Sequence, residues 1–140
     1  MVQIIAGSRG IGKTKELLAF ANDAVKSAAG TLVYLDKSTK HMFELDKQIR
    51  LINVRDYPVR TVDAFLGFLC GIISQDHDLE TIYVDSFLTL TDISSDEVLE
   101  KTVGQLEVLS TRCRVDFVIS LAMDAEDLPE ELRKLVKLAL

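Results

Sequence analysis

Apolar residues occur in five short runs along the chain, and longer segments with a helical spacing separate them. Runs of this length rich in Val, Ile, Leu and Tyr are typical of buried strands. The predicted strands are Val2–Ala6, Thr31–Leu35, Ile49–Val54, Thr81–Phe87 and Val115–Leu121. Strands that alternate with helices favour a parallel sheet covered on both faces. The predicted fold class is therefore α/β, with one five-stranded parallel sheet.

The helical segments show apolar residues three and four positions apart. One begins at Lys13 and is expected to end before Gly30, because glycine is common just past a helix end. A second covers Thr61–Gln75, and a third begins after Ser94 as its cap. The last begins near Pro129 and continues to the chain end, with apolar positions at Leu135, Val136, Leu138 and Leu140. Ser38–Asp46 is predicted to be a short helix or a loop.

Composition narrows the class of protein. The 140 residues are 48% hydrophobic, which suits a single domain over 1–140. The net charge of −6 makes nucleic acid an unfavourable partner, although a local basic patch is compatible with it. No apolar run is long enough for a membrane span, and no signal peptide is recognisable. Cys70 and Cys113 have no metal-ligand spacing and are interpreted as reduced thiols, which predicts a cytoplasmic protein.

A glycine-rich loop lies between the first predicted strand and the first predicted helix. It fits G-x-x-x-x-G-K-[ST] at every fixed position, in the order Gly7, Ser8, Arg9, Gly10, Ile11, Gly12, Lys13 and Thr14. Glycine permits a tight turn and a close approach of the backbone to phosphate oxygens. The helix start adds a positive field, the Lys13 ammonium a point charge, and the Thr14 hydroxyl a magnesium ligand.

With this loop in that context, the chain resembles the P-loop nucleoside triphosphatases, and its layout is similar to their recombinase-like branch. The resemblance implies binding of ATP with Mg²⁺ and a strand order of 3-2-4-5-1. The order 2-3-1-4-5 of nucleotide kinases remains the alternative. The resemblance also implies an acidic residue that holds magnesium at the end of a buried strand. Asp85 fits this Walker B position, and Asp36 is the weaker competitor.

Other catalytic parts are less evident. Ser86 stands beside Asp85, where many relatives carry the glutamate that polarises water; Asp36 or Glu44 would have to replace it. Ser120 resembles the polar sensor of the outer phosphate, which leaves Lys13, Asp85 and Ser120 as the catalytic candidates. No arginine finger is identifiable, although five arginines are available, namely Arg9, Arg55, Arg60, Arg112 and Arg114. A guanine-specificity motif of the N-K-x-D type is absent, which favours ATP over GTP.

Three functions remain open. The first is an ATP-binding protein with slow or partner-dependent hydrolysis, the second a small nucleoside or nucleotide kinase, and the third a nucleotide-gated binding module without chemistry. The absence of an arginine-rich lid disfavours the kinase. In the predicted order the strand Val2–Ala6 lies at a sheet edge, so a homo-oligomer or a protein partner is expected there, unless the C-terminal helix shields that edge within the same chain. Gly67 and Gly71 are expected to pack on the sheet, or else to form a helix–helix contact in an oligomer.

Overall fold

A computed structural model describes the whole chain, Met1–Leu140, as one sheet with helices against it. The strands are Val2–Ala6 (β1), Thr31–Asp36 (β2), Arg50–Asn53 (β3), Leu79–Val84 (β4), Asp116–Leu121 (β5) and Val136–Ala139 (β6). Their order in the sheet is β3-β2-β4-β5-β1-β6, and every neighbouring pair is parallel. The α/β class and the order of the first five strands are confirmed, whereas the predicted count of five strands is wrong.

Five helices and two short 3₁₀ segments connect the strands. The helices are Lys13–Ala24 (α1), Val62–Ser74 (α2), Phe87–Thr91 (α3), Asp96–Cys113 (α4) and Glu130–Arg133 (α5), and the 3₁₀ segments are Val54–Asp56 and Ala125–Asp127. Thr61 caps α2, as its Oγ1 accepts from the Ala64 N–H. Ser95 caps α4 by accepting from the Val98 N–H, so the cap lies one residue after the predicted Ser94. Ser38–Asp46 forms turns rather than a helix.

Each face of the sheet carries its own core, because successive side chains of a strand point to opposite faces. On one face ten buried residues join α1 to the sheet, among them Leu17, Ile5 and Tyr34. On the other face a cluster of 24 buried residues includes Ile4 and Val33 and brings in α2, α3 and α4. Both cores leave the carboxyl ends of the strands free to carry polar groups.

The C-terminal segment differs most from the sequence prediction. Instead of one helix, the chain makes the single turn α5 and then the strand β6. Ile4 N–H donates to the Leu135 carbonyl and Leu140 N–H to the Ala6 carbonyl. These bonds satisfy backbone groups that β1 would otherwise leave open at an edge. β1 is therefore an interior strand, and the predicted oligomer contact along its edge is wrong.

Three glycines have different environments from those expected. α1 ends at Ala24, well before Gly30. Gly30 instead lies so close to the Asp78 carbonyl that an added Cβ would overlap it, which explains why no side chain fits there. Gly67 and Gly71 are exposed, and a Cβ on either would contact nothing within 4 Å. They do not pack on the sheet, so the favoured interpretation of that pair is wrong. No helix is both long and apolar enough to cross a membrane.

Candidate functional site

A polar cavity of about 420 Å³ opens at the carboxyl ends of β1, β2, β4 and β5. Open parallel sheets bind ligands at this edge, because the strand ends and the following loops meet there. The glycine-rich loop contributes part of the wall, through Arg9, Gly10, Gly12, Lys13 and Thr14. The remainder comes from the ends of the neighbouring strands and the segments after them.

The loop turns into α1 through two glycines with left-handed backbone conformations. Gly10 has a φ of 81° and Gly12 a φ of 101°, a region that favours glycine. Gly12 occupies the N-cap position and provides no side-chain cap, so the first amides of α1 keep their donors free. The loop therefore presents unpaired N–H groups and the positive end of a helix to the cavity.

Lys13 adds the charge expected of this loop. Its Nζ donates to the Ser8 carbonyl oxygen at 2.8 Å, which folds the side chain back over the loop. Burial lowers the pKa of Lys13, while the nearby Asp85 carboxylate opposes that shift. The ammonium group is thus held within the cavity by one weak partner that an anion can replace.

Asp85 follows β4 directly and is 4% exposed. Both of its carboxylate oxygens accept hydrogen bonds: Oδ1 from the Ser120 hydroxyl at 2.9 Å, and Oδ2 from the Tyr34 hydroxyl at 3.1 Å. Ser120 is itself fixed, because its Oγ accepts from the Ser86 N–H at 3.0 Å. Each carboxylate oxygen retains a further lone pair for a cation.

Tyr34 contacts a residue of the candidate site, which its position in the sequence did not indicate. Its side chain is fully buried in β2, and its only polar atom reaches Asp85. Burial, reinforced by the Asp85 charge, raises the pKa of Tyr34, so the phenol stays protonated as a donor. Within the apolar run Leu32–Leu35 the tyrosine has the pattern of an ordinary core residue, and only the pairing of β2 with β4 reveals the contact.

Asp36 ends β2 and is the second buried carboxyl in the cavity wall, at 3% exposed. Its Oδ1 accepts from the Lys37 N–H at 2.7 Å, but its buried Oδ2 has no hydrogen-bond partner. Burial, with the Asp85 charge in second place, raises the pKa of Asp36. Glu44, the other carboxyl predicted from the sequence, is exposed, contacts His41 and does not line the cavity. The structure thus distinguishes Asp36 from Glu44.

The cavity also takes residues that the sequence did not indicate. Lys37, Lys40 and His41 form its wall on the β2 side. The His41 side chain is only 24% exposed and has Glu44 beside it. Lys37 and Lys40 on this side, with Arg9 and Lys13 on the other, set positive charge on two sides of the buried carboxyls, a distribution suited to an anionic ligand.

The arginines considered as fingers are distributed differently. Arg9 lines the cavity. Arg55 donates to the carbonyl oxygen of Thr89, which is itself a wall residue, and Arg60 donates to carbonyls of its own turn. Arg112 and Arg114 belong to the end of α4 and do not line the cavity. Within one copy of the chain, Arg9 is therefore the only arginine in the cavity wall.

The side chains of the cavity that could act as metal ligands determine whether a metal ion fits there. The chain contains no group of three or more His, Cys, Asp and Glu side chains that would hold a metal unaided. Thr14 and Asp85 nevertheless line the same cavity. Magnesium prefers oxygen ligands and commonly takes only one or two from protein, with phosphate oxygens and water completing its octahedron. The residues present therefore fit magnesium that arrives with a phosphate ligand.

Comparison with known proteins adds no further constraint. No protein-family model matches the sequence, and a search of curated proteins finds no significant match.

The unpaired Asp36 carboxyl leads to a stability prediction. Its folded-state pKa is raised, so its neutral form is favoured, and the stability it contributes at low pH is lost as pH rises through that pKa. We expect Asp36→Asn to unfold at a higher temperature than wild type at neutral pH. The gain in the free energy of unfolding should be about 1–3 kcal/mol. This gain should disappear when the pH falls below the ordinary pKa of an aspartate. Thermal unfolding across pH measures this, with exposed Asp127→Asn as the control. A loss of stability at neutral pH would contradict it.

Proposed function

We propose that this chain is a P-loop nucleoside triphosphatase-like protein that binds ATP with Mg²⁺ and hydrolyses it slowly or only with a partner. One observation carries the proposal: the left-handed glycines Gly10 and Gly12 present free helix amides, and Lys13, to a cavity that also contains the buried carboxylate of Asp85. Anion donors and a cation-binding group in one cavity are what a magnesium–triphosphate requires.

Each residue then has a role that its geometry supports. The amides from Gly10 to Thr14 bind phosphate oxygens, and the Lys13 ammonium leaves the Ser8 carbonyl for the outer phosphates. The Thr14 hydroxyl and the Asp85 carboxylate hold magnesium, which neutralises charge on the phosphates when bound. Tyr34 and Ser120 keep Asp85 in one orientation through the two hydrogen bonds to its oxygens.

Asp36 is the residue that we assign to the proton of an attacking water. It is the carboxyl in the cavity wall whose buried Oδ2 has no hydrogen-bond partner, so that oxygen retains acceptor capacity. A raised pKa brings a carboxyl closer to the range in which a general base works near neutral pH. Ser86, which stands where many relatives have a glutamate, supplies only a backbone donor to Ser120.

The small-kinase alternative has one observation in its favour. Asp36 lies three strand steps from β1 in the sheet, which is about 14 Å at the usual strand spacing. Lys37, Lys40 and His41 surround that far end of the cavity, where a second anionic molecule would fit beyond the triphosphate. The two functions differ in product: hydrolysis releases inorganic phosphate, whereas a kinase forms a phosphorylated acceptor.

A nucleotide panel tests the proposal. Only the folded loop binds phosphate, so a ligand present at a hundred times its Kd stabilises the fold by about 2.7 kcal/mol. We expect ATP with Mg²⁺ to raise Tm by roughly 8–10 °C under those conditions, and EDTA to remove most of the shift. GTP, CTP and ADP are measured beside ATP, and products are analysed afterwards. The absence of any shift with every nucleotide would refute the proposed function.

A further inference from the structure

The outer surface of α4 carries a stripe of residues that are exposed, apart from the half-buried Gly104. Positions four, seven, eight, eleven and fifteen residues after Glu97 fall within about 100° of one another around a helix. The stripe, named here the α4 stripe, consists of Glu97, Lys101, Gly104, Gln105, Val108 and Arg112. Val108 is 59% exposed although it is apolar.

All residues of the α4 stripe except Glu97 line a mainly apolar groove of about 400 Å³ between α2 and α4. Leu66 and Cys70 of α2 and Leu109 of α4 form its apolar wall. A Cβ added at Gly104, which lines this groove, would meet nothing within 4 Å. A glycine that faces open space on a helix permits the backbone of another helix to come close.

The charges of the α4 stripe identify the occupant. In an antiparallel pair of α4 helices centred between Gly104 and Gln105, residue 97 faces residue 112, residue 101 faces 108, and residue 104 faces 105. Glu97 of each copy then meets Arg112 of the other, at both ends of the contact. The stem of Lys101 covers Val108, and the small Gly104 accommodates Gln105. A parallel pair would instead place Glu97 against Glu97 and Arg112 against Arg112, which like-charge repulsion disfavours.

Neither of the two charged residues at the ends of the α4 stripe, Glu97 and Arg112, forms an ion pair within the chain. The four ion pairs of the structure join Met1 to Asp116, Lys26 to Asp23, His41 to Glu44 and Lys134 to Glu131. Glu97 and Arg112 are therefore both available to a second copy. An isologous contact must be self-complementary about a twofold axis, and the α4 stripe has that property.

We propose that the α4 stripe and the adjoining groove form a twofold homodimer interface in which α4 packs antiparallel against α4 of a second copy. The contact is about 24 Å long, the length of a 16-residue helix. It is roughly 20 Å wide, the combined width of α2 and α4 of one copy with the groove between them. Its area of roughly 500 Å² per copy is below that of a standard stable interface, so the dimer is a weak one with a Kd in the micromolar range.

Charge exchange gives a sharp test. Glu97→Arg and Arg112→Glu each turn both end contacts into like-charge pairs, and each should raise the dimer Kd about tenfold or more. The double variant, with both changes in one chain, restores opposite charges across the axis and should recover the wild-type Kd. Glu107→Arg, an exposed change off the α4 stripe, is the matched control. Sedimentation equilibrium over the micromolar range, with a reductant to keep Cys70 a thiol, measures all four.

Gly104→Leu separates the interface from the fold. A Cβ at this position meets nothing within 4 Å in the single copy, and leucine favours a helix more than glycine does. The variant should therefore keep or exceed the wild-type Tm while losing the dimer. A wild type that stays monomeric at every concentration overturns the proposal and leaves the groove to a different helix. A dimer that survives Gly104→Leu, or single swaps that the double variant does not rescue, overturns it as well.

Discussion

Lys13→Ala is expected to abolish the rise in Tm that ATP with Mg²⁺ produces, without unfolding the protein. In the free protein Lys13 makes one side-chain hydrogen bond, to the Ser8 carbonyl, and its aliphatic stem is half-exposed. Truncation therefore removes little from the fold. It does remove the ammonium that we assign to the outer phosphates, and a hydrogen bond between charged groups is worth about 1.5–3 kcal/mol. A loss of that size is comparable to the whole stabilisation expected from saturating ATP.

The matched control is Lys15→Ala. Lys15 lies two residues further along α1, is exposed, and takes no part in the cavity wall. It removes the same charge from the same helix, so any effect of net charge on an anionic ligand appears in both variants. We expect the full shift in Lys15→Ala and none in Lys13→Ala. An equal shift in the two variants would contradict the assignment of the Gly7–Thr14 loop as the phosphate-binding loop.

The sheet was predictable from sequence because its central strands are buried on both faces. Such strands are nearly continuous apolar runs, and β2, β4 and β5 are of that kind. β6 is a different case. Leu132, Leu135 and Val136 have the three- and four-residue spacing of a helix, and Val136 and Leu138 are only half-buried. The local spacing of apolar residues favoured a helix, but the segment forms a strand because it pairs with the backbone groups that β1 would otherwise leave open. The residues near β6 in the sequence do not indicate this pairing, because its partner lies at the other end of the chain.

The same distinction separates the parts of the candidate site. The Gly7–Thr14 loop was predicted because every group it needs lies within eight consecutive residues. Asp85 was predicted because a carboxyl directly after a buried strand is conspicuous. Tyr34 and Asp36 take their importance from the pairing of β2 with β4, which sequence alone left open between two strand orders. Which of Asp36 and Glu44 faces the cavity depended on the path of the turns after β2, and no periodicity predicts that path.

The isolated chain is expected to hydrolyse ATP far more slowly than the typical enzyme turnover of about 10 per second. One copy of the chain lacks two features that accelerate phosphoryl transfer: a base close to the attacking water and a free arginine near the outer phosphate. The residue after Asp85 is Ser86, whose backbone N–H is engaged with Ser120 and whose side chain is no base. Asp36 is the remaining carboxyl, and it lies about three strand spacings from the strand before the loop.

Charge neutralisation is the second incomplete part. Arg9 belongs to the loop itself, and Arg55 is engaged with the Thr89 carbonyl, so no free arginine approaches the outer phosphate from the opposite side. An arginine supplied there is worth a factor of about 10³–10⁵ in turnover. A phosphate-release assay on purified protein, with Lys13→Ala as the blank for contaminating ATPases, measures the rate. If Asp36 takes the proton from water, Asp36→Asn should abolish the residual rate while ATP still raises Tm. Turnover near 10 per second by the chain alone would mean that Arg9 and Asp36 suffice, and the requirement for a partner would be wrong.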